Sequence, residues 1–219
     1  MPLTLHAHPF SSYCQKVLIA LYENATPFET KLVADAASFA ELAALWPMKR
    51  MPILQDDGRL LREATIIIEH LALHHPGPVP LLPADAKAAL DVRFMDRVFD
   101  NYVMTPMQRI VADHLRPPEA GRDPYTVTQA KAQLDDAYGW LDQHLADGRP
   151  WACGAAFTLA DCAAAPSLFY ADWVHPIGEA RPHVLAYRRR LLARPSVARA
   201  VDEARPYRQY FPPGAPDRD

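Results

Sequence analysis

Residues 46–71 read WPMKRMPILQDDGRLLREATIIIEHL and carry the strongest structural signals in this chain of 219 residues. Two short apolar runs flank Asp57-Gly58, a dipeptide that favours a tight turn, and this pattern predicts a β-hairpin. Residues 63–74 then have apolar side chains at helical spacing. The stretch therefore predicts two antiparallel strands followed by a helix.

The segment before this stretch predicts a strand, a helix, a strand and a second helix. Residues 3–7 alternate between apolar and polar, residues 17–22 have helical spacing, and residues 28–33 and 36–45 repeat the two patterns. A βαβ unit followed by a ββα unit is a thioredoxin-like order. We therefore predict an α/β domain over residues 1–76.

The second part of the chain has a different pattern. Residues 77–83 are rich in proline and predict a linker, because proline disfavours both helices and central strands. Residues 84–219 predict an all-helical domain, with helical patterns at about residues 84–115, 125–145, 158–173, 182–192 and 196–204. The first of these should bend near Pro106. Residues 206–219 should be irregular and partly mobile, and Arg188 to Arg190 should form a solvated face.

Composition excludes several classes of function. A formal net charge of −3 gives no general attraction to nucleic acid, and no long apolar run indicates a membrane span or a secretory signal. Three cysteines cannot all pair, and they lack the Cys/His spacing of a zinc site. We expect a cytoplasmic protein without a metal ion, nucleic-acid partner or membrane association.

The loop between the first strand and the first helix is the leading candidate for chemistry. It contains Phe10, Ser11, Ser12 and Cys14, and the amides at the start of a helix favour an anion. A serine at this position is usually a helix N-cap. Ser11 alone therefore does not distinguish a cap from a catalytic residue.

The combination of residues 11–21, SSYCQKVLIAL, with residues 46–71 resembles the glutathione transferases. Members place a serine, tyrosine or cysteine before the first helix, followed by a basic and an apolar residue, which Ser11, Lys16 and Val17 match. A cis-proline opening the third strand corresponds to Met51-Pro52. Residues 157–161, FTLAD, resemble the capping motif of the core helix in the family's second domain.

The resemblance implies a glutathione site. Ser11 would donate a hydrogen bond to the glutathione thiolate, because a free thiol is mostly protonated at neutral pH. Ser12 is the alternative donor. The other implied contacts are the Met51-Pro52 backbone to the cysteinyl part, Lys49 or Arg50 to the glycyl carboxylate, Glu63 to the amino group, and helix-start amides at Ala64 to the γ-glutamyl carboxylate.

Two residues bear on how far the resemblance extends. Ala64 stands where the family usually has a serine, so one hydroxyl to the ligand is missing, and Thr65 cannot simply replace it because neighbouring helical side chains diverge. Cys14 has no partner cysteine at position 11, which argues against dithiol chemistry. We interpret Cys14 as a small buried hydrophobic residue.

The second substrate implied by the resemblance is a small hydrophobic electrophile bound between the domains. Its candidate contacts are Phe10, Tyr102, Pro106 and Met107. Isomerisation, dehalogenation and peroxide reduction could use the same thiolate, and a non-catalytic binding or regulatory protein is the alternative.

The family also implies a homodimer, for which Phe94, Val98 and Phe99 offer an apolar helix face.

Overall fold

The first domain is built on a mixed four-stranded sheet. A computed structural model describes residues 3–219. The strands are β1 (Leu3–Ala7), β2 (Phe28–Leu32), β3 (Ile53–Asp56) and β4 (Arg59–Arg62), in the spatial order β2-β1-β3-β4. β1 and β2 are parallel, and the other neighbours are antiparallel. This topology confirms the predicted βαβ-ββα order.

The β3–β4 hairpin turns at the predicted dipeptide. Asp57 and Gly58 have φ values of 43° and 80°, and positive φ at both central residues is what a type I′ turn requires. The turn pairs Asp56 with Arg59 and Ile53 with Arg62. The predicted hairpin is confirmed.

Three helices accompany the sheet: α1 (Ser12–Glu23), α2 (Ala36–Leu45) and α3 (Ala64–His74). Successive strand residues point to opposite faces of a sheet. Leu54 accordingly joins the main core, whereas Ile53 packs with Val33 and Leu42 of α2 in a small separate cluster. The sheet thus has one face towards the main core and one face covered by α2.

The second domain is all-helical, as predicted. Its helices are α4 (Ala86–Val98), α5 (Thr105–His114), α6 (Pro124–His144), α7 (Leu159–Val174), α8 (Pro182–Leu192) and α9 (Pro195–Ala204). The main core includes buried residues of both domains. The predicted fold class, a thioredoxin-like α/β domain followed by a helical domain, is therefore confirmed.

The predicted bend near Pro106 takes the form of a helix interruption. A π-helical segment, Phe99–Met104, separates α4 from α5, and Pro106 is the second residue of α5. Proline has no amide hydrogen to donate to the preceding turn. The hydroxyl of Thr105 donates to the carbonyl of Asp100 at 2.9 Å. The π-helical segment also shifts the register of side chains between α4 and α5.

The segment between the domains is fixed to both of them. α3 ends at His74 and α4 begins at Ala86. The side chain of Asn24 bonds the backbone N and O of Val79 at 2.8 and 3.2 Å, and the amide of Leu159 donates to the carbonyl of Leu81 at 2.8 Å. The exact division at residues 77–83 stays a prediction.

One expectation about the surface was wrong, and a second, that the tail is irregular, holds for residues 211–219 but not for 205–210. Arg188 is buried, where its guanidinium lies 3.3 Å from Asp172 and over the ring of Phe169. The tail begins with a 3₁₀ helix, Arg205–Tyr210, and is anchored by an ion pair between Arg218 and Asp172. The sequence did not indicate the burial of Arg188 or the ion pair of the tail, because the carboxylate partner of both arginines, Asp172, lies on another helix.

Within residues 3–219, every helix is too short or too polar to cross a lipid bilayer.

Candidate active site

Ser11 occupies the N-cap position of α1 without acting as a side-chain cap. Its backbone is extended, and its carbonyl accepts from Gln15 N at 2.9 Å. Within residues 3–219, the Ser11 hydroxyl makes no capping hydrogen bond to the first turn. Ser11 lines a cleft beside the helix N-terminus, where the helix dipole favours an anion. Its hydroxyl is thus not held by the first turn of the helix, although it also hydrogen-bonds the Cys14 thiol.

Two cavities meet at Ser11. The first, which we call the polar cleft, has a volume of about 470 Å³ and the second, the apolar cavity, about 300 Å³. Ser11 and Gln108 line both of them. A group bound to the Ser11 hydroxyl can thus face both cavities.

The polar cleft contains most of the residues proposed to bind glutathione. The members from the first domain are Ser11, Lys49, Arg50, Met51, Pro52, Glu63 and Ala64. The Met51-Pro52 bond is cis, as expected, and Glu63 precedes α3 with a φ of 68°. Ser12 differs from these residues: it is buried and lines only the apolar cavity. Ser11 is therefore better placed than Ser12 to face the polar cleft.

Six of the thirteen residues that line the polar cleft were not predicted from the sequence. The further lining residues are Tyr13, Trp46, Arg97, Asp100, Asn101 and Gln108. Burial, with a contribution from nearby Asp100, raises the pKa of Tyr13 to about 12, so this phenol is neutral at pH 7. Tyr13 and Trp46 lie within the quoted motifs, but Arg97 to Gln108 come from the helical domain. Their approach depends on domain packing, which no local motif indicates.

A buried ionic cluster joins the two domains below this cleft. The ammonium of Lys16 lies 2.5 Å from Asp96 and 2.9 Å from Asp100. Arg97 contacts the same two carboxylates at 2.6 Å. Burial raises the pKa of Asp100, and Lys16 opposes that shift. Lys16, the basic residue of the first helical motif, thus links the two domains. Arg97 also lines the polar cleft.

Thr65 belongs to this cluster rather than to the cleft. Its hydroxyl donates to Asp96 at 2.8 Å and accepts from Lys16 at 3.0 Å. The residue before it, Ala64, lines the cleft. Thr65 therefore does not supply the hydroxyl that is missing at position 64.

The helical domain also holds the loop that precedes α1. The hydroxyl of Tyr170 on α7 donates to the carbonyl of Phe10 at 3.0 Å and accepts from the Gln15 amide at 3.1 Å. Gln15 also donates to the carbonyl of Pro9 at 3.0 Å. These bonds fix the backbone immediately before Ser11.

The four proposed contacts of the electrophile do not form one pocket. Phe10 and Met107 line the apolar cavity, together with Val111, Leu115, Tyr170, Tyr210, Phe211 and Pro212. Tyr102 and Pro106 instead line an outer cavity of about 670 Å³ with Phe94 and Trp140. They were grouped because all four were expected between the domains, but Tyr102 lies in the π-helical segment and the side chains of the neighbours Pro106 and Met107 diverge. Tyr210 and Phe211 were missed because the tail was expected to be partly mobile.

Cys14 is a core residue. Its side chain is fully buried, and burial raises the pKa of its thiol to about 11, while hydrogen bonding by Ser11 has an opposing effect. A thiol with this pKa is protonated at neutral pH. The structure thus separates Ser11, which faces a cleft, from Cys14, one turn further along α1.

Family models identify both domains. The model of the glutathione S-transferase N-terminal domain matches residues 5–79, and that of the glutathione S-transferase C-terminal domain matches residues 124–190. The chain belongs to the glutathione S-transferase family. GstA, a glutathione S-transferase of Escherichia coli O157:H7, is 30% identical over 72% of this chain and 75% of the relative.

Other members of the glutathione S-transferase family are similar to this chain. The glutathione S-transferase-like protein LUC7 of Fusarium sp is 36% identical over 60% of this chain, and the match spans 59% of its length. The crystal structure of a Methylobacterium radiotolerans glutathione S-transferase, in complex with glutathione sulfonate, is 29% identical with a TM-score of 0.79. That match covers 92% of this chain and 95% of the other.

Proposed function

We propose that this chain conjugates glutathione to small hydrophobic electrophiles and that Ser11 stabilises the glutathione thiolate. The observation that carries this proposal is the position of Ser11, which lines both the polar cleft and the apolar cavity. A thiolate bonded to Ser11 would stand at the boundary between a polar peptide and an apolar second substrate. Family membership and the glutathione-analogue complex of the Methylobacterium relative support glutathione as the co-substrate.

The proposed chemistry needs only a hydrogen-bond donor to the glutathione sulfur and a positive electrostatic potential around it. A thiol with an ordinary pKa near 8.5 is a few per cent thiolate at neutral pH, and stabilising the anion raises that fraction. The Ser11 hydroxyl donates to the sulfur, and the α1 N-terminus adds a partial positive charge. The sulfur then attacks an electrophilic carbon, and the leaving group departs with the electron pair of the broken bond.

The ends of glutathione carry charges that the polar cleft complements. Lys49 and Arg50 offer cations to the glycyl carboxylate, and Glu63 offers an anion to the amino group. The backbone of Met51 faces the cysteinyl part in this arrangement. The first amides of α3, beginning at Ala64, bind the γ-glutamyl carboxylate without help from a serine hydroxyl.

A binding assay and a turnover assay on the same protein test this proposal. Calorimetry with glutathione should give saturable binding, and 1-chloro-2,4-dinitrobenzene with glutathione should give turnover above the uncatalysed rate. Binding without turnover across aryl halides, epoxides, isomerase substrates and peroxides would favour the non-catalytic alternative. Absence of glutathione binding would contradict the assignment of the cleft.

We also propose a homodimer, as the family resemblance implies. Phe94 is 55% exposed and packs edge-to-face with Trp140 at the outer cavity. Phe99, which we expected on the same face, is buried in the core. Light scattering at micromolar concentration should give twice the chain mass, and a monomer would contradict this proposal.

The predicted reducing, cytoplasmic location accords with three free thiols, all within the described residues.

A further inference from the structure

Three metal-ligating side chains meet at the turn end of the β3–β4 hairpin. The Nε2 atoms of His70 and His75 lie 2.8 and 2.7 Å from the same carboxylate oxygen, Oδ2 of Asp56. One donor atom from each residue lies within 4.8 Å of the other two. Asp56 is the last residue of β3, while His70 lies on α3 and His75 follows its end. Two separate elements thus bring three donors together.

This cluster is separate from the glutathione site. Glu63 and Ala64, at the start of α3, line the polar cleft. His70 and His75 lie at the other end of the same helix, and at 1.5 Å per residue the 11 residues of α3 span about 16 Å. None of the cluster's residues lines the polar cleft. The cluster therefore needs an explanation independent of conjugation.

The donor set matches a particular class of ion. Two imidazole nitrogens and one carboxylate oxygen suit zinc and its first-row neighbours, whereas magnesium and calcium prefer oxygen ligands alone. We propose that Asp56, His70 and His75 form a binding site for a divalent transition-metal ion, with Zn²⁺ as the reference ion. Three protein ligands leave a fourth tetrahedral position for water.

The geometry is close to what such an ion requires. Bonds of 2.0–2.1 Å in a tetrahedron separate ligand atoms by about 3.4 Å, so each observed His–Asp pair must open by only about 0.6 to 0.7 Å. The ring of His70 is buried and packs on His74 with centroids 4.4 Å apart, which fixes its orientation. His75 is 32% exposed and provides an entry path.

The ion would act as a clamp rather than as a catalyst. It would tie the end of the hairpin to the C-terminal end of α3, which at its other end begins the γ-glutamyl site. An ion that binds only the folded state raises the midpoint of unfolding. Cysteine and histidine spacing in the sequence does not indicate this site, because its third ligand is an aspartate on a distant strand.

Titration of the chelator-treated full-length protein with ZnCl₂ tests the proposal. Calorimetry should give one equivalent bound with a micromolar or tighter dissociation constant, and thermal unfolding should shift upwards with Zn²⁺. MgCl₂ at the same concentration should do neither. Weak, non-saturable Zn²⁺ binding or an equal response to Mg²⁺ would overturn the site.

Variants identify the ligands. His75→Gln and Asp56→Asn should each weaken Zn²⁺ binding at least tenfold and abolish the thermal shift, whereas His183→Gln, at an exposed histidine on α8, should change neither. His75 is half-exposed beyond the end of α3, so its replacement should leave the fold intact, as circular dichroism would verify. Unchanged Zn²⁺ binding in folded His75→Gln would refute the proposal, whatever the behaviour of Asp56→Asn. Glutathione binding should be equal in all four proteins without metal.

Discussion

The two cavities that meet at Ser11 differ in chemistry and in origin. The proposed charged contacts of the polar cleft come from the first domain, within residues 49–64, whereas the apolar cavity is mostly formed by α5, α7 and the C-terminal tail. Under the proposed function, one short segment would determine recognition of glutathione, while three segments distant in sequence would determine the choice of electrophile. Substitutions at Ser11, at Ala64 in the polar cleft and at Tyr170 on α7 test this division.

The largest effect should come from the residue that both cavities share. Ser11→Ala removes the hydroxyl proposed to stabilise the thiolate, and loss of one such donor lowers turnover by about 10²-fold or more. Measured kcat/KM should fall by that factor, with little change in glutathione affinity. Ser12→Ala is the matched control, because Ser12 lines only the apolar cavity. If Ser12→Ala abolished turnover and Ser11→Ala did not, the assignment of the donor would be wrong.

A change confined to the polar cleft should strengthen glutathione binding. Ala64→Ser adds a hydroxyl at the start of α3, and a hydrogen bond to a carboxylate contributes about 1.5 to 3 kcal/mol, or about ten- to a hundredfold in affinity. Calorimetry on the two proteins measures the difference. Thr65→Ser is the control, because that hydroxyl belongs to the ionic cluster. Unchanged binding in Ala64→Ser would mean that backbone amides already saturate the carboxylate.

A smaller effect should come from behind the loop. Tyr170→Phe removes the hydroxyl that holds the Phe10 carbonyl, and loss of about 1 kcal/mol of positioning corresponds to a decrease of about fivefold in kcat/KM. Tyr138→Phe removes an equivalent bond, from a buried tyrosine to the carbonyl of His175 at 3.1 Å, away from the site. Equal losses of turnover in the two variants would indicate a general effect on stability.

The last prediction concerns the reactivity of the Cys14 thiol, one turn from Ser11, and the pH dependence of stability. Its pKa is raised to about 11 by burial, so iodoacetamide should leave it unmodified at pH 7.5 in the native protein and label it after unfolding. Mass spectrometry measures both states. Because the native thiol keeps its proton at pH values where the thiol of the unfolded chain has lost it, stability should decrease as pH rises from about 9 to 11. Cys14→Ala should lose that pH dependence, and rapid native labelling would contradict the burial of Cys14.

The sequence predicted what depends on local pattern. The hairpin at Asp57-Gly58, the strands and the helix positions follow from residues adjacent in the chain, whereas the cis bond at Met51-Pro52 was expected from the family resemblance. The residues proposed for glutathione binding also lie close together in sequence, and most of them line one cleft. Short-range turn and helix preferences were sufficient for the secondary structure, and the resemblance to the glutathione transferases supplied the proposed site residues.

The sequence failed where long-range packing decides the environment. Arg188 and Phe99 are buried by partners on other elements. Tyr102 and Pro106 line a different cavity from Met107, because Tyr102 lies in a π-helical segment and the side chains of the neighbours Pro106 and Met107 diverge. Arg97, Asp100 and Tyr170 reach the site only because α4, the π-helical segment and α7 pack against the first domain. Such residues can be found only once the helices are placed in space.

The pairing of Lys16 bears on how this chain can recombine with its relatives. The ammonium of this first-domain residue is buried, and its carboxylate partners, Asp96 and Asp100, both belong to the second domain. A chimera that received a helical domain lacking these two aspartates would retain an uncompensated buried charge, at a cost of about 3–5 kcal/mol. The two halves of the gene are therefore expected to be inherited as a pair, and shuffling between family members should succeed most often where this triad is preserved.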